Sequence, residues 1–481
     1  MIARLHHNLV SLPQQLAIVV FAALVAFSGD DARSQQVLSA DLGKGVNFGN
    51  MLEAPFEGAW GLTVQPDFFA RVAELGLDHV RLPVSWTYHA STEAPYTVDP
   101  TFFARIDEVL AMAEAINVKV ILNDHHHEEL DADPVGESAR FLAIWDQIAT
   151  RYADRGDWLH FEILNEPHGE FSETPALWNA LLVDALNVIR STNPTRKVLI
   201  GPVNFGSLHS LDQLEVPNDP NLIASIHYYD PFPFTHQGAP WIVPAPPLGA
   251  VWRPFADQLA PPWQNYSWET KVDNTGSGLR VTYQQGWAGF YLHRDSPIVD
   301  PQAIQFRINR PFRLQVMIFD GDNTIVYPVQ STASPRDTEI HVVEFDNLPP
   351  GFELRDIAIQ NFTPESQIPM IISLLRFKQN DVWDFAMTTQ TNVIRRDFLM
   401  ARDWAIDNNI PLHLGEFGAY READLTSRES WNRSVRHTAN VLGIDWAYWE
   451  FAFVDFGFYD PVNQEWRTSL LRSLLPTGFN N

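Results

Sequence analysis

Short apolar, strand-like runs alternate with helix-length amphipathic segments along this chain, and that alternation limits its fold more than any other feature. The runs lie at residues 45–48, 79–82, 118–122, 160–164, 197–200, 222–226, 411–414 and 446–449. Between them, residues 102–116, 141–152 and 178–189 carry apolar side chains at helical spacing, and Pro100 suits a helix first turn. Eight strands alternating with helices predict an α/β fold, a (β/α)8 TIM barrel.

The alternation breaks between the sixth and seventh runs. A proline-rich stretch, Pro244-Ala-Pro-Pro247 through Pro261-Pro262, opens the break. Short strands with period-two alternation follow, at 279–283, 304–308, 314–319, 340–345 and 357–359, with turn clusters at 320–323 and 347–351. This predicts a jelly-roll-like β-sandwich inserted in the loop after strand six. The expected organisation is a signal peptide at 1–28, barrel strands one to six within 37–252, the sandwich at 253–380, and strands seven and eight within 381–478.

Composition restricts the partners. A formal net charge of −26 disfavours nucleic acid and anionic lipid, which reward a basic face. The chain has no cysteine, which excludes disulfides, thiolate nucleophiles and Cys-zinc sites. At the N-terminus Arg4 precedes the apolar run Leu16-Ala-Ile-Val-Val-Phe-Ala-Ala-Leu-Val-Ala-Phe27, followed by Ser28. This suits a signal h-region and falls short of the ~20 residues of a bilayer span. The protein is expected to be secreted or periplasmic, free of the membrane after signal removal, and a monomer.

In a barrel of this kind the carboxyl ends of the strands face the active site, and here they carry an unusual polar set. Strand one leads to Asn50 and Glu53, strand two carries Arg81, and strand three runs into Asn123-Asp-His-His-His-Glu128. Strand four leads to Asn165 and Glu166, strand six to His227-Tyr-Tyr229, strand seven to Glu416 and strand eight to Trp449. Glu166 and Glu416 are candidates for the carboxylate pair that cleaves a glycosidic bond, one giving a proton and one attacking carbon. A glutamate serving as acid must be kept partly protonated by burial or a nearby negative charge. A glutamate nucleophile needs donors that favour its charge, and Arg81 and Tyr229 are such donors for Glu416. Asn165 suits a sugar 2-hydroxyl, and Trp449 suits the apolar face of a pyranose ring. His125, His126 and His127 invite a zinc reading. Adjacent side chains on an extended segment alternate faces, so they are expected to hydrogen-bond around the site rather than share a metal.

These residues resemble glycoside hydrolase family 5, the retaining endo-β-1,4-glucanases and mannanases. The matching stretches include Asn47-Phe-Gly-Asn-Met-Leu-Glu-Ala-Pro55, His79-Val-Arg-Leu-Pro83, Leu122-Asn-Asp-His-His-His-Glu-Glu-Leu130 and Phe161-Glu-Ile-Leu-Asn-Glu-Pro167. Further matches are His227-Tyr-Tyr-Asp-Pro-Phe232, Gly415-Glu-Phe-Gly-Ala-Tyr420 and Ala447-Tyr-Trp-Glu-Phe451. The resemblance implies Glu166 as acid/base and Glu416 as nucleophile. It places Arg81, His125, Asn165, His227, Tyr229 and Trp449 around the cleaved sugar, with Asn50, Glu53 and His126 nearby. It implies no cofactor, no catalytic metal, and a β-glucan substrate, with β-mannan or glucomannan as the alternative. The insertion departs from the family pattern and looks like a carbohydrate-binding module. Trp263, Trp268, Tyr283, Trp287 and Tyr291 are its candidate sugar platform or, alternatively, its core. A structural calcium common in such modules has no locatable ligands here.

Overall fold

A computed structural model describes residues 38–254, 257–275, 278–309, 313–320, 323–330, 339–346, 348–362 and 369–476. The expected signal segment at 1–28 and the last residues of the expected second barrel part lie outside the described residues, as do parts of both turn clusters. Among the described residues no helix is long and apolar enough to cross a membrane.

Eight parallel strands close into a barrel. They are β1 (Lys44–Asn47), β2 (His79–Leu82), β3 (Lys119–Asn123), β4 (Leu159–Glu162), β5 (Val198–Ile200), β6 (Leu222–His227), β7 (Leu412–Glu416) and β8 (Asp445–Tyr448). Pairings such as Val46 with Val80 and Val46 with Tyr448 close the circle through β1. Each strand is buried because helices cover the outside, which is why the runs read as apolar without a polar face. Pro100–Ala115 illustrates how those helices begin. Asp99 accepts the amide of Thr101, Pro100 occupies the first turn, and Phe102, Phe103, Ile106, Val109 and Leu110 turn inward.

The barrel interior is layered, because alternate residues of a strand share a face. Leu42, Ile121, Leu199 and Ile223 form an apolar plug. A polar layer includes His79 and His413, whose Nε2 atoms lie 3.1 Å apart. Gly45 is required beside them, since a Cβ there would sit 2.3 Å from the His79 ring. Two residues beyond Gly45, His79 and His160 come Asn47, Arg81 and Glu162, which carry the site.

Between β6 and β7 the chain builds two antiparallel sheets. One runs Glu339–Glu344, Ala303–Ile308, Pro369–Gln379, Gly278–Tyr283, Thr270–Thr275, with Val382–Phe385 beside Pro369–Gln379. The other runs Asn323–Gln330, Arg313–Asp320, Glu353–Asn361, Gly289–Val299, Gln264–Asn265. Their own core includes Val281, Phe290, Ile304, Phe306, Val316, Ile318, Leu354 and Leu375. The chain leaves and returns side by side, since Asp257–Leu259 pairs antiparallel with Met387–Thr389.

The proposed aromatic platform divides. Trp263 and Tyr283 are core residues, and the Tyr283 hydroxyl donates to the Ile359 carbonyl at 2.8 Å. Trp287 is 52% exposed, and its carbonyl accepts from the Trp268 indole at 3.0 Å. Tyr291 is half-buried and donates to Asp356 at 2.7 Å. The five therefore do not form one flat surface, because alternate strand positions point to opposite faces.

Candidate active site

Arg81 organises the mouth of the barrel. It sits on β2 with no exposure, so its charge must be paired in place. Nε donates to Glu162 Oε2 at 2.6 Å, Nη1 to Glu416 Oε1 at 2.6 Å and Asn47 Oδ1 at 2.9 Å, and Nη2 to Asn165 Oδ1 at 2.7 Å. Burial works against the charge, and the pull of Glu162 and Glu416 outweighs it, so the guanidinium stays protonated.

Glu416 ends β7 and is 4% exposed. Its second oxygen accepts the Tyr229 hydroxyl at 2.8 Å. Glu166 lies beyond the end of β4, at a left-handed φ of 48°. Such a backbone is uncommon for a residue with a Cβ, and it turns the side chain out of the strand direction. His227 closes β6 and bridges the pair, with Nδ1 2.7 Å from Glu166 Oε1 and 3.7 Å from Glu416 Oε2. The facing oxygens of Glu166 and Glu416 lie within 4.8 Å of each other.

These three groups titrate as one unit. Burial raises Glu166, but the hydrogen bond and charge of His227 outweigh it and leave the carboxyl below its usual value. Burial alone would lower His227, but the charges of Glu416 and Glu166 raise it. Glu416 is raised, first by burial and also by Glu166, against the pull of His227 and Arg81. The sequence expectation of an acid held above its normal range is thus not met by Glu166 alone. The lowered Glu166 and the raised His227 both favour the proton on the His227 side of their 2.7 Å contact, while the fixed donors Arg81 and Tyr229 both address Glu416.

Among the described residues, Glu166, His227 and Glu416 also form a group that could hold a metal. Arg81 lies against Glu416 at 2.6 Å, and its fixed positive charge opposes a divalent ion there.

The remaining expected residues gather around this centre. The Trp449 ring lies parallel to His125, with centroids 5.5 Å apart and planes 2° from parallel. Burial holds His125 well below its ordinary value, so it is a neutral hydrogen-bonding ring. His126 meets His125 edge-on, whereas His127 turns away to Asp124 at 2.9 Å. Only His127 diverges, while His125 and His126 stay in ring contact at 4.8 Å. Asn165 gives its oxygen to Arg81, which leaves its NH2 as the free end. Asn50 adopts a φ of 63°, and Glu53 accepts the backbone N–H groups of Asn50 and Met51. Burial pushes Glu53 up to about 7.

Sequence reasoning missed several neighbours. Asn47 ties Arg81 to β7 and β8 by donating to the carbonyls of Gly415 and Tyr448. Glu162 holds Arg81 from β4, and Asn123, which the sequence did place in the polar set at the end of strand three, joins Glu162 to His125. A readable signal existed, since charged or amide side chains in the middle of apolar strand runs mark an inward polar layer. Phe205 is 55% exposed and stacks on His168 at 4.5 Å beside Glu166, and Trp60 meets His126 edge-on. Nothing in their local sequence separates them from ordinary surface aromatics.

A closed parallel barrel with two facing glutamates at its mouth, ringed by arginine, histidine, tyrosine and tryptophan, is the build of a barrel glycoside hydrolase. The cellulase profile (glycosyl hydrolase family 5) matches residues 42–277. Endoglucanase H of Acetivibrio thermocellus is 38% identical over 196 residues, covering 41% of this chain and 22% of that protein. The chain thus spans under a quarter of this curated relative. Two structures of Thermotoga maritima Cel5A, in complex with cellobiose and with mannotriose, are 31% and 30% identical. Each match covers 90% of this chain and 97% of that one, with TM-scores of 0.61 and 0.60. The chain belongs to glycoside hydrolase family 5.

Proposed function

We propose that the protein is an endo-β-1,4-glucanase that cleaves β-glucan with retention, Glu416 acting as nucleophile and Glu166 as acid/base. The observation that carries this reading is the approach of one oxygen of each carboxylate to within 4.8 Å of the other. Retaining enzymes hold their carboxyl groups ~5–5.5 Å apart, whereas inverting ones leave ~6.5–9.5 Å for a water. Glu416 attacks the anomeric carbon as the proton held between His227 and Glu166 moves onto Glu166 and from there to the departing glycosidic oxygen. The resulting ester leaves Glu166 deprotonated. It then takes a proton from the water that attacks the same carbon and frees Glu416. Arg81 and Tyr229 hold Glu416 in line and receive its charge back when the ester breaks. Asn165 presents its NH2 to the 2-hydroxyl, and the Trp449 face packs against the ring.

The test is trapping with a 2-deoxy-2-fluoro cellobioside bearing a good leaving group, followed by peptide mass spectrometry. The adduct is expected on Glu416, and label on another residue, or none, rejects the assignment. A β-mannan or glucomannan substrate is the second reading, favoured by the mannotriose complex of the Thermotoga maritima neighbour. Parallel hydrolysis of carboxymethyl-cellulose, barley β-glucan, glucomannan and mannan separates the two. Export is proposed on the basic-then-apolar N-terminus, and is checked by sequencing the N-terminus of the extracellular protein. For the insertion we propose polysaccharide binding, supported by the exposed rings of Tyr266, Trp287 and Phe362.

A further inference from the structure

Glu162 is a carboxylate at the end of β4, with its side chain only 3% exposed. Replacing a buried ion pair by packed apolar residues is often neutral or stabilising. Stability alone therefore gives little reason for a carboxylate there. Its Oε2 atom joins two arms of the site. One runs 2.6 Å to Arg81 Nε, and Arg81 in turn grips Glu416 and Asn165. The other runs 3.2 Å to the Asn123 amide, which lies 3.1 Å from His125 Nδ1. His125 is the ring that parallels Trp449.

We propose that Glu162 is a positioning residue of the reaction, fixing the Arg81 fork and sharing its charge so that Glu416 is held in line yet stays reactive. Two carboxylates divide one guanidinium across a distance of 2.6 Å on each side. Without Glu162, the full positive charge would fall on Glu416. A carboxylate so neutralised is a weaker nucleophile and is harder to protonate. The fork would also lose the bond at Nε that sets its plane, and with it the aim of Nη1 and Nη2.

Other charges around this pair are few. Glu166, His227 and Tyr229 face Glu416, and Glu53 acts on it from the loop after β1. His79, His125 and His413 surround Arg81 and are kept neutral by burial. Glu162 is the other carboxylate that Arg81 binds directly.

This inference rests on Glu416 being the nucleophile, and the experiment separates the two. Wild type, Glu162→Gln and Glu162→Asp are compared for turnover of an aryl cellobioside across pH and for the rate of fluoro-sugar labelling. Glu162→Gln keeps the shape and loses the charge. It is expected to lower kcat about tenfold or more with KM within about twofold, and to move the acid limb of kcat/KM down by about half a pH unit. Glu162→Asp keeps the charge at a shorter reach. Its kcat is expected to fall while its acid limb stays at the wild-type position. Labelling at Glu416 slows in both. Wild-type kcat and acid limb in Glu162→Gln overturn the proposal, as do identical pH profiles in the two variants. If Glu162→Gln does not fold, Glu162→Asp decides alone, and a raised KM with unchanged kcat overturns it. Wild type that carries no label on Glu416 rejects the nucleophile assignment instead.

Discussion

At the scale of single residues, the site is a set of fixed donors converging on one carboxylate. Tyr229 gives Glu416 one of its two strong hydrogen bonds, at 2.8 Å. Tyr229→Phe removes a donor from the place where charge changes, so kcat is expected to fall about 10²-fold with the melting temperature little changed. Steady-state kinetics beside a thermal melt checks this, and a fall in both together points to a folding defect. A second position acts by exclusion. A Cβ on Gly49 would lie 2.8 Å from the Trp449 ring. Gly49→Ala must therefore displace the indole, and a severalfold rise in KM on oligosaccharides is expected, larger than the loss in kcat. Glu416, Arg81 and Tyr229 were legible in sequence because each follows or lies on an apolar strand run. Phe205 and Trp60 were not, because their exposure depends on neighbours remote in sequence.

The elements show where pattern reading works and where it slips. Barrel strands were displaced by a residue or two at their ends, as at 118–122 against Lys119–Asn123. In the insertion, Gly289–Val299 and Pro369–Gln379 are strands that the period-two runs named from sequence do not mark. The pairing of Gly289–Val299 shifts register between His293 and Ile298, and that of Pro369–Gln379 shifts opposite Arg307 and Ile308. A bulge breaks the period-two alternation that a reader of sequence relies on. The insertion joins through the two-stranded ribbon of Asp257–Leu259 with Met387–Thr389 and has its own core. Replacing residues 257–389 with a short Gly/Ser linker should therefore leave a folded barrel. Turnover of short oligosaccharides is expected within about threefold of the full chain, with weaker pull-down on insoluble polymer. Equal pull-down by both forms refutes a binding role for the insertion.

For the molecule as a whole, the polar interior of the barrel sets the response to acid. Burial lowers His79 to about 3 and His160 to about 4, from 6.5. Both are neutral when folded and would take up protons when unfolded, so each removes stability as pH falls from 6.5 towards its folded value. Glu53, raised to about 7, works the other way between pH 7 and 4.5, where the folded state binds the extra proton. Below about 4.5 that opposing contribution is constant, and the histidine cost continues to grow. By pH 4 the two histidines together cost on the order of several kcal/mol. The melting temperature should therefore drop steeply between pH 4.5 and 3, and a His79→Gln, His160→Gln double variant should flatten that drop. An unchanged slope in the double variant contradicts the assignment.

By itself the sequence determined the strand–helix alternation, the place of the insertion and the chemistry at each strand end, because these follow from local periodicity and residue type. Only the tertiary structure decided that His227 bridges the two glutamates, that Glu162 shares Arg81 with Glu416, and which insertion aromatics face solvent. The first two depend on closing eight strands into one circle, and the last on folding the two sheets of the insertion around their own core. Closure brings side chains distant in sequence to within hydrogen-bonding distance and puts alternate residues of each strand on opposite sides of the wall.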